Sequence, residues 1–255
     1  MGTRLGPMSE AHPKCLIDVG GRRLLERSLD ALSGAGLSSA VIVVGYLHDM
    51  IERTIGPRHE GLEVTYVRNE RYATTGSMYS LSCAREAVAG DDIVLLESDL
   101  LFDAAALTSA IRAPHANVLL AAPASGSGDE VYLCADDEGR LIDLGKQLPG
   151  PARRRAVGEL VGISRFSASF MDVLFDRADA EYGAGQVTRH YEETVLAVSR
   201  RGVPVHVVVC EGLIWTEIDK PADLERARRD ILPRLRERSA GTVDSGVVPL
   251  ERGRS

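Results

Sequence analysis

The chain is poor in aromatic residues, with Phe, Trp and Tyr making up 5 % of its 255 positions. That scarcity argues against a platform of rings on which single-stranded nucleic acid could stack. Positive charge is also short: 30 Lys and Arg face 37 Asp and Glu, for a net charge of −7. General nucleic-acid binding is disfavoured on that ground as well. The four cysteines, Cys15, Cys83, Cys134 and Cys210, include no close pair, so neither a zinc-ligand spacing nor a compact disulfide framework is present. They read as buried reduced thiols. No apolar run is long enough to span a bilayer, and no apolar leader follows Met1. The expectation is a soluble, cytoplasmic protein with no membrane partner. His12, His48, His59, His115 and His206 lack ligand spacing and read as surface or satisfied residues.

An acidic chain can still hold an anionic substrate if basic side chains and backbone N–H groups gather at one place. The chain is long enough to bury a substantial core, and its pattern suggests how such a place is built. Short runs rich in Val, Ile or Leu at residues 40–44, 62–67, 92–96 and 117–122 predict buried strands. Leu24, Leu25, Leu29 and Leu32 put one apolar face on a helix that Gly34 or Gly36 would close. Further helices are predicted over 77–89 and 104–111. Alternating helices and near-continuous apolar strands imply an α/β fold: a Rossmann-like, mostly parallel mixed sheet with helices on both faces.

The second half reads differently. Strands are predicted at 130–135, 140–144 and 159–166, with a turn at 136–139, which suggests a small β insertion at about 129–166. Helices at 168–178 and 189–201, a strand at 203–210 and a helix at 220–238 follow. Pro233 is expected to kink or end that last helix. Residues 239–255 are polar and without periodicity, and a disordered tail is expected there.

Three segments could carry chemistry. Gly2-Thr3-Arg4-Leu5-Gly6-Pro7, with Pro13-Lys14 beyond it, could bring backbone N–H groups and two cations to phosphate oxygens. Its spacing is neither G-x-x-x-x-G-K-[ST] nor G-x-G-x-x-G, and such a loop on its own is common. Glu97-Ser98-Asp99 follows a predicted strand, where a carboxylate points into the crevice that binds ligands in open α/β sheets. Asp99 suits Mg2+, and the structural alternative is a helix cap. Trp215-Thr216-Glu217-Ile218-Asp219 supplies a second acidic cluster, with Glu217 and Asp219 on one side of an extended segment. The alternative for Asp219 is again a cap, with Pro221 in the first turn of the following helix.

In this order the segments resemble the NTP-transferase superfamily that includes sugar-1-phosphate nucleotidyltransferases. Gly2-Thr3-Arg4-Leu5 and then Pro13-Lys14-Cys15-Leu16-Ile17-Asp18-Val19-Gly20-Gly21 look like its N-terminal signature. Residues 69–85 with Met78-Tyr79-Ser80-Leu81, together with Glu97-Ser98-Asp99, are closer to the small cytidylyltransferases for phosphocholine and for phosphonates. Gly145-Lys146, residues 158–163, Tyr191-Glu192-Glu193 and residues 215–219 occur in family-like order.

The resemblance runs from Met1 to about Arg229. It implies one nucleotidyltransferase domain over 1–238, CTP as donor, Mg2+ as cofactor and a small phosphonate or phosphate as acceptor. It also implies roles. Asp99 and Asp219 hold the metal with help from Glu217, while Gly2, Thr3, Arg4 and Lys14 bind the triphosphate. Thr75, Gly76, Ser77 and Ser80 line the base or acceptor pocket, and Lys146 and Glu159 face the acceptor. Two departures stand out. Gly76-Ser77 replaces the family's Asn-Asn, and the family's first strand with its Leu-Ala-Ala-Gly turn is not found ahead of Gly2, which leads to an expectation of weakened triphosphate binding.

The acceptor is open at this level. Arg153-Arg154-Arg155, Arg189 and His190 suit an acceptor with extra negative charge, although an Arg run also reads as a solvated loop. Tyr72, Tyr79, Tyr191 and Trp215 are the rings available to a choline group. A small phosphonate is preferred, with phosphocholine, a sugar 1-phosphate, or a nucleotide-binding relative without catalysis as alternatives. The sequence leaves both a monomer and a homo-oligomer open.

Overall fold

The computed structural model describes residues 12–243, so Gly2, Thr3, Arg4 and the tail beyond 243 lie outside the described part. A 3₁₀ turn, Lys14–Leu16, comes first. Then follow α1 (Leu24–Gly34), β1 (Ser39–Val44), α2 (His48–Ile55), β2 (Arg58–His59), β3 (Leu62–Arg68), α3 (Ser77–Cys83), a 3₁₀ turn at Arg85–Val88, β4 (Ile93–Leu96), β5 (Leu100–Phe102), α4 (Ala105–Ile111) and β6 (Val118–Ala122). The second half contains β7 (Tyr132–Ala135), β8 (Leu141–Gly145), α5 (Gly150–Arg153), β9 (Ala156–Phe166), α6 (Ala168–Gly183), α7 (Tyr191–Ser199), β10 (His206–Val209), β11 (Trp215–Glu217), α8 (Pro221–Arg226), a π turn (Ala227–Ile231) and α9 (Leu232–Val243).

The strands form a mixed α/β arrangement in three sheets: β1-β3-β2, the larger β10-β6-β9-β7-β8 with β4 also on β9, and β11-β5. β1 pairs with β3 in parallel, and β6 with β10 in parallel. β4 and β6 run the same way but do not touch, because β9 returns antiparallel between them. Direct pairings in the large sheet are therefore more antiparallel than the apolar runs alone suggest. The β7–β8 hairpin turns at residues 136–139 as expected, and it joins the large sheet through the first half of β9. The predicted insertion is thus continuous with the central sheet, since β9 serves both.

Strand β6 shows how the core is layered. All five of its residues are buried, and its side chains alternate between faces. Leu119 and Ala121 pack with Phe170 and Leu174 of α6 and Val195 of α7. Leu120 and Ala122 pack with Ala106, Leu107 and Ala110 of α4. Helices therefore cover both faces of this strand.

Several boundaries differ from the sequence pattern. The helix expected over 77–89 splits after Cys83 into α3 and a 3₁₀ turn. Helix α6 runs on to Gly183. The C-terminal helix is interrupted by a π turn directly before Pro233, whose missing N–H breaks the i→i−4 ladder, and then continues to Val243. Residues 239–243, expected in the tail, are helical. Helix α2, strands β2 and β5 and the single turn α5 were not predicted; each is short, and none carries a long periodic pattern. Among the described residues no helix is long and apolar enough to cross a membrane.

Candidate active site

The two acidic clusters meet because their strands pair. β5 and β11 run antiparallel, with Leu100 opposite Glu217. The Ile218 N–H donates to the Asp99 carbonyl at 3.0 Å, which extends the ladder by one step. Asp99 and Asp219 are thereby brought to one place from 120 residues apart in the chain. Neither carboxylate caps a helix. Asp103 accepts from the Ala105 N–H at the start of α4, and Lys220 is the N-cap of α8, with Asp223 accepting from the Asp219 and Lys220 N–H groups.

Lys14 joins the pair. Its Nζ donates to Asp99 Oδ2 at 2.5 Å and also to Asp219 Oδ1. Burial works against the Lys14 ammonium, but Asp99 and Asp219 outweigh it and hold its pKa above the ordinary lysine value. The turn that carries Lys14 is anchored by Cys15 and Leu16, which are buried with Leu25 and Leu29 of α1. A cation between two carboxylates from distant strands is a preformed charge centre at the strand ends.

Glu97 completes the acidic side, and sequence reasoning did not single it out. Glu97, Asp99 and Glu217 each bring a carboxylate oxygen to within 4.8 Å of one another. Burial pushes the Glu97 carboxyl up to about 8, with Asp99, Glu192 and Glu217 adding to the shift. Burial likewise pushes Glu217 up to about 7, helped by Asp99 and Asp219. Asp99 Oδ1 is buried and has no hydrogen-bond partner. Hard oxygen donors around an unpartnered buried carboxylate oxygen fit a divalent cation such as Mg2+.

Gly162 makes room for Glu97. Its φ is +79°, a Cβ there would stand 3.0 Å from Glu97 Cδ, and its carbonyl accepts the Glu97 N–H at 2.9 Å. A second grouping, His48, Asp49 and Glu52, is crossed by Arg68, 3.3 Å from Glu52 and 3.8 Å from Asp49. A guanidinium there already supplies the counter-charge.

The segment from Thr75 to Ser80 is built into the protein by its own hydrogen bonds. Asn69 Nδ2 donates to Thr75 Oγ1 at 3.1 Å and to Ser80 Oγ at 3.0 Å. Ser77 Oγ accepts the Tyr191 N–H at 3.0 Å and lies 3.3 Å from His190 Nδ1. Tyr191 is buried, and its hydroxyl donates to Glu97 Oε1 at 3.1 Å. Gly76 donates to the Val187 carbonyl, and a Cβ on it would overlap the Thr188 and Arg189 carbonyls. The departure from Asn-Asn thus has a steric reason at position 76: residues 187–189 occupy the space that a side chain would need.

The remaining predicted residues divide. Glu159 is 5 % exposed and accepts from the Ser125 N–H at 2.6 Å and its hydroxyl at 3.2 Å. Burial raises its carboxyl, and the Ser125 bonds oppose the shift. It lines a small cleft with Asp129, Trp215, Glu217, Asp219 and Arg226. Lys146 is half-exposed and donates to Asp129 at 2.6 Å, so it stands at that cleft's edge through its partner. Arg153 lies over the Tyr132 ring, 3.4 Å from its centroid. Arg189 is held by Gln186 and by the buried Glu181. Both side chains are engaged within the chain, with Arg189 Nε left buried and without a hydrogen-bond partner. Arg226, which no motif marked, reaches the cleft and donates to Thr216 Oγ1 at 2.7 Å.

Comparison with known proteins places the chain in a family. Residues 1–240 match the MobA-like NTP transferase domain. The chain is 28 % identical over 235 residues to CMP-5'-(3-aminopropyl)phosphonate synthase of Streptomyces rubellomurinus, covering 89 % of this chain but only 37 % of that longer protein. It is 25 % identical over 226 residues to choline-phosphate cytidylyltransferase of Streptococcus pneumoniae, covering 89 % of this chain and 92 % of that one. The inositol-1-phosphate CTP transferase from T. maritima shares the fold, with a TM-score of 0.77 over 92 % of each chain at 21 % identity. With its family model matched across nearly the whole length and its charged residues gathered at the strand ends, the chain belongs to the MobA-like NTP transferase family, and its domain is a nucleotidyltransferase domain.

Proposed function

We propose that this chain transfers CMP from CTP to a small phosphonate, with release of pyrophosphate. The observation that carries the reading is the meeting of Lys14 with Asp99 and Asp219 beside Glu97 and Glu217. Asp99, Asp219 and Glu217 would hold Mg2+, which when bound neutralises charge on the phosphates. Lys14, together with Arg4, Gly2 and Thr3 outside the described residues, would bind the triphosphate. Thr75, Gly76, Ser77 and Ser80 would line the base or acceptor pocket. An oxygen of the acceptor attacks the α-phosphorus in line, a new P–O bond forms, and the bond to the pyrophosphate oxygen breaks. No covalent enzyme intermediate is needed, so the side chains act by positioning and by charge.

CTP as donor is supported by the cytidylyltransferase relatives. The acceptor reading rests on the cleft beside the charge centre. Its acidic residues, Asp129, Glu159, Glu217, Asp219 and Asp223, outnumber its basic ones, Lys220 and Arg226, and Arg153 and Arg189, two of the arginines that suited an extra negative charge, are engaged elsewhere. An acceptor with an amine at its far end fits this balance, as in the aminopropylphosphonate named for the Streptomyces rubellomurinus relative. Glu159 and Lys146 stand on that side. Trp215 lines the cleft, whereas Tyr79 packs on Tyr182 and Tyr191 is buried against Glu97. Of the four candidate rings, Trp215 alone lines this cleft.

The test is a pyrophosphate-release screen with Mg2+, all four nucleoside triphosphates, and a panel of aminoalkyl phosphonates, phosphomonoesters and hexose 1-phosphates. Release is expected with CTP and an aminoalkyl phosphonate, and is expected to be lost in Asp99→Ala and Asp219→Ala. Release only from a hexose 1-phosphate with UTP or dTTP would overturn the reading.

A further inference from the structure

Three guanidinium groups converge on one short turn. The chain leaves the Lys14–Leu16 turn through Ile17 and makes a tight reversal at residues 18–22, with Asp18 bridged to Arg23. Arg228 Nη2 donates to the Asp18 carbonyl at 2.7 Å, Arg27 Nη2 to the Val19 carbonyl at 2.5 Å, and Arg236 Nη2 to the Gly20 carbonyl at 3.2 Å. These are three consecutive carbonyls. Their donors come from α1, the π turn and α9.

The arrangement closes a loop through the active site. The segment that follows Asp219, through α8 and the π turn, comes back to grip the segment that follows Lys14. Beneath the arginines, Ile17 and Val19 are buried with Ile218, Leu224, Ala227 and Ile231. Lys14 meets Asp219 at one end of this assembly, and Arg228 meets Asp18 at the other. The two ties lie on either side of the start of the π turn. Arg226 just before it donates to Thr216 beside Glu217, while Arg228 within it reaches the opposite way to Asp18. Single π turns frequently occur at functional sites.

The Arg27 cation is disfavoured on balance, since burial and its neighbouring guanidinium groups outweigh the favourable Asp18 and Asp30 carboxylates. Arg27 is half-buried, and its Nε is buried with no hydrogen-bond partner. Burial and the nearby Arg236 guanidinium push its pKa down. A buried, incompletely bonded cation beside like charges costs stability. A methionine or leucine would fill the same space without that cost.

We propose that Arg27, Arg228 and Arg236 are positioning residues, which hold the 18–20 turn so that the Lys14 ammonium is fixed against Asp99 and Asp219. The proposal rests on the reading of Lys14 as the triphosphate-binding lysine. Small misplacements of such a group can cost as much as about a hundredfold in rate.

The test uses the full chain with Mg2+ and measures CTP affinity by calorimetry alongside thermal stability. Arg27→Met is expected to melt no lower than wild type, yet to bind CTP about tenfold more weakly, the same order as a modest displacement of Lys14. Arg27→Lys, which keeps a donor for the Val19 carbonyl, should recover part of the loss. Arg228→Gln and Arg236→Gln, on exposed side chains, should each weaken CTP binding and keep the question answerable if Arg27→Met does not fold. Arginine variants that bind CTP as wild type does, whatever their stability, overturn the proposal. Lys14→Ala separates the two readings. If it weakens CTP binding while the arginine variants do not, only the positioning role fails. If Lys14→Ala binds CTP normally, or wild type binds no nucleoside triphosphate, the assignment of Lys14 fails and the positioning role with it.

Discussion

The Tyr191 hydroxyl donates to Glu97 Oε1 at 3.1 Å, while the Tyr191 N–H donates to Ser77 Oγ at 3.0 Å. One buried tyrosine thus links the Thr75–Ser80 segment to the strand end that carries Asp99. Tyr191→Phe keeps the ring and removes one hydrogen bond to a buried carboxyl, so a loss of about 1–2 kcal/mol in unfolding free energy is expected. Urea denaturation measures it. An unchanged midpoint and slope would mean that the bond contributes nothing to holding the two segments together.

Lys14 stands between two carboxylates whose side chains are each about 15 % exposed. Lys14→Met removes the ammonium that Asp99 and Asp219 share, and a destabilisation of about 2 kcal/mol is expected for a pair buried to this degree. The sign with pH follows from the raised lysine pKa. The stabilisation is fully present below the unfolded lysine value and is lost as pH rises through the higher folded value. At neutral pH the whole effect should be seen. Adding Asp219→Asn to Lys14→Met should recover part of it, because the two sites share one interaction; strictly additive single and double variants would contradict the bridge.

Gly76 has no room for a methyl group against the Thr188 and Arg189 carbonyls. Gly76→Ala must push residues 187–190 away, and overpacking of this kind costs about 1–3 kcal/mol. The same shift moves the start of α7, so pyrophosphate release should fall with stability. A Gly76→Ala protein with native stability and activity would show that the two segments part without cost.

His115 and His206 stack with ring centroids 3.5 Å apart and planes within 5°. Burial lowers the His206 pKa, and His115 and Arg140 lower it further, while Asp136 and Glu138 act the other way. The folded state therefore favours neutral His206. Stability should decline as pH falls from about 6.5, the unfolded histidine value, through the lower folded value. His206→Phe keeps a ring against His115 and removes the titration, so its melting temperature should fall less between pH 7 and pH 5. Parallel profiles for the two proteins would rule out this pair as the cause.

Much of the fold was legible in local pattern. The runs that became β1, β3, β4 and β6, the Leu stripe of α1 and the turn at 136–139 each follow from periodicity and turn chemistry within a few residues. Asp99, Asp219, Glu217 and Lys14 were legible as charged residues next to strand or Gly/Pro signals. Helix α2, strand β5 and the π turn were not, because short elements without a strong period are stabilised mainly by what they pack against.

By itself the sequence determined which charges exist and which strands they follow. It could not tell a metal carboxylate from a helix cap, since Asp99 and Asp219 each satisfy both local descriptions. Tertiary structure excluded the caps by pairing β5 with β11, which puts the two carboxylates on one lysine and leaves the capping bonds to Asp103 and Asp223. It also decided that Arg153 and Arg189 are engaged, that Glu97 is buried among carboxylates, and that the chain after Asp219 returns to grip the turn after Lys14. The reason is the same in each case. A side chain's charge is fixed by its chemistry, but its energy depends on neighbours that only the fold brings to it, from as far away as Arg228 is from Asp18.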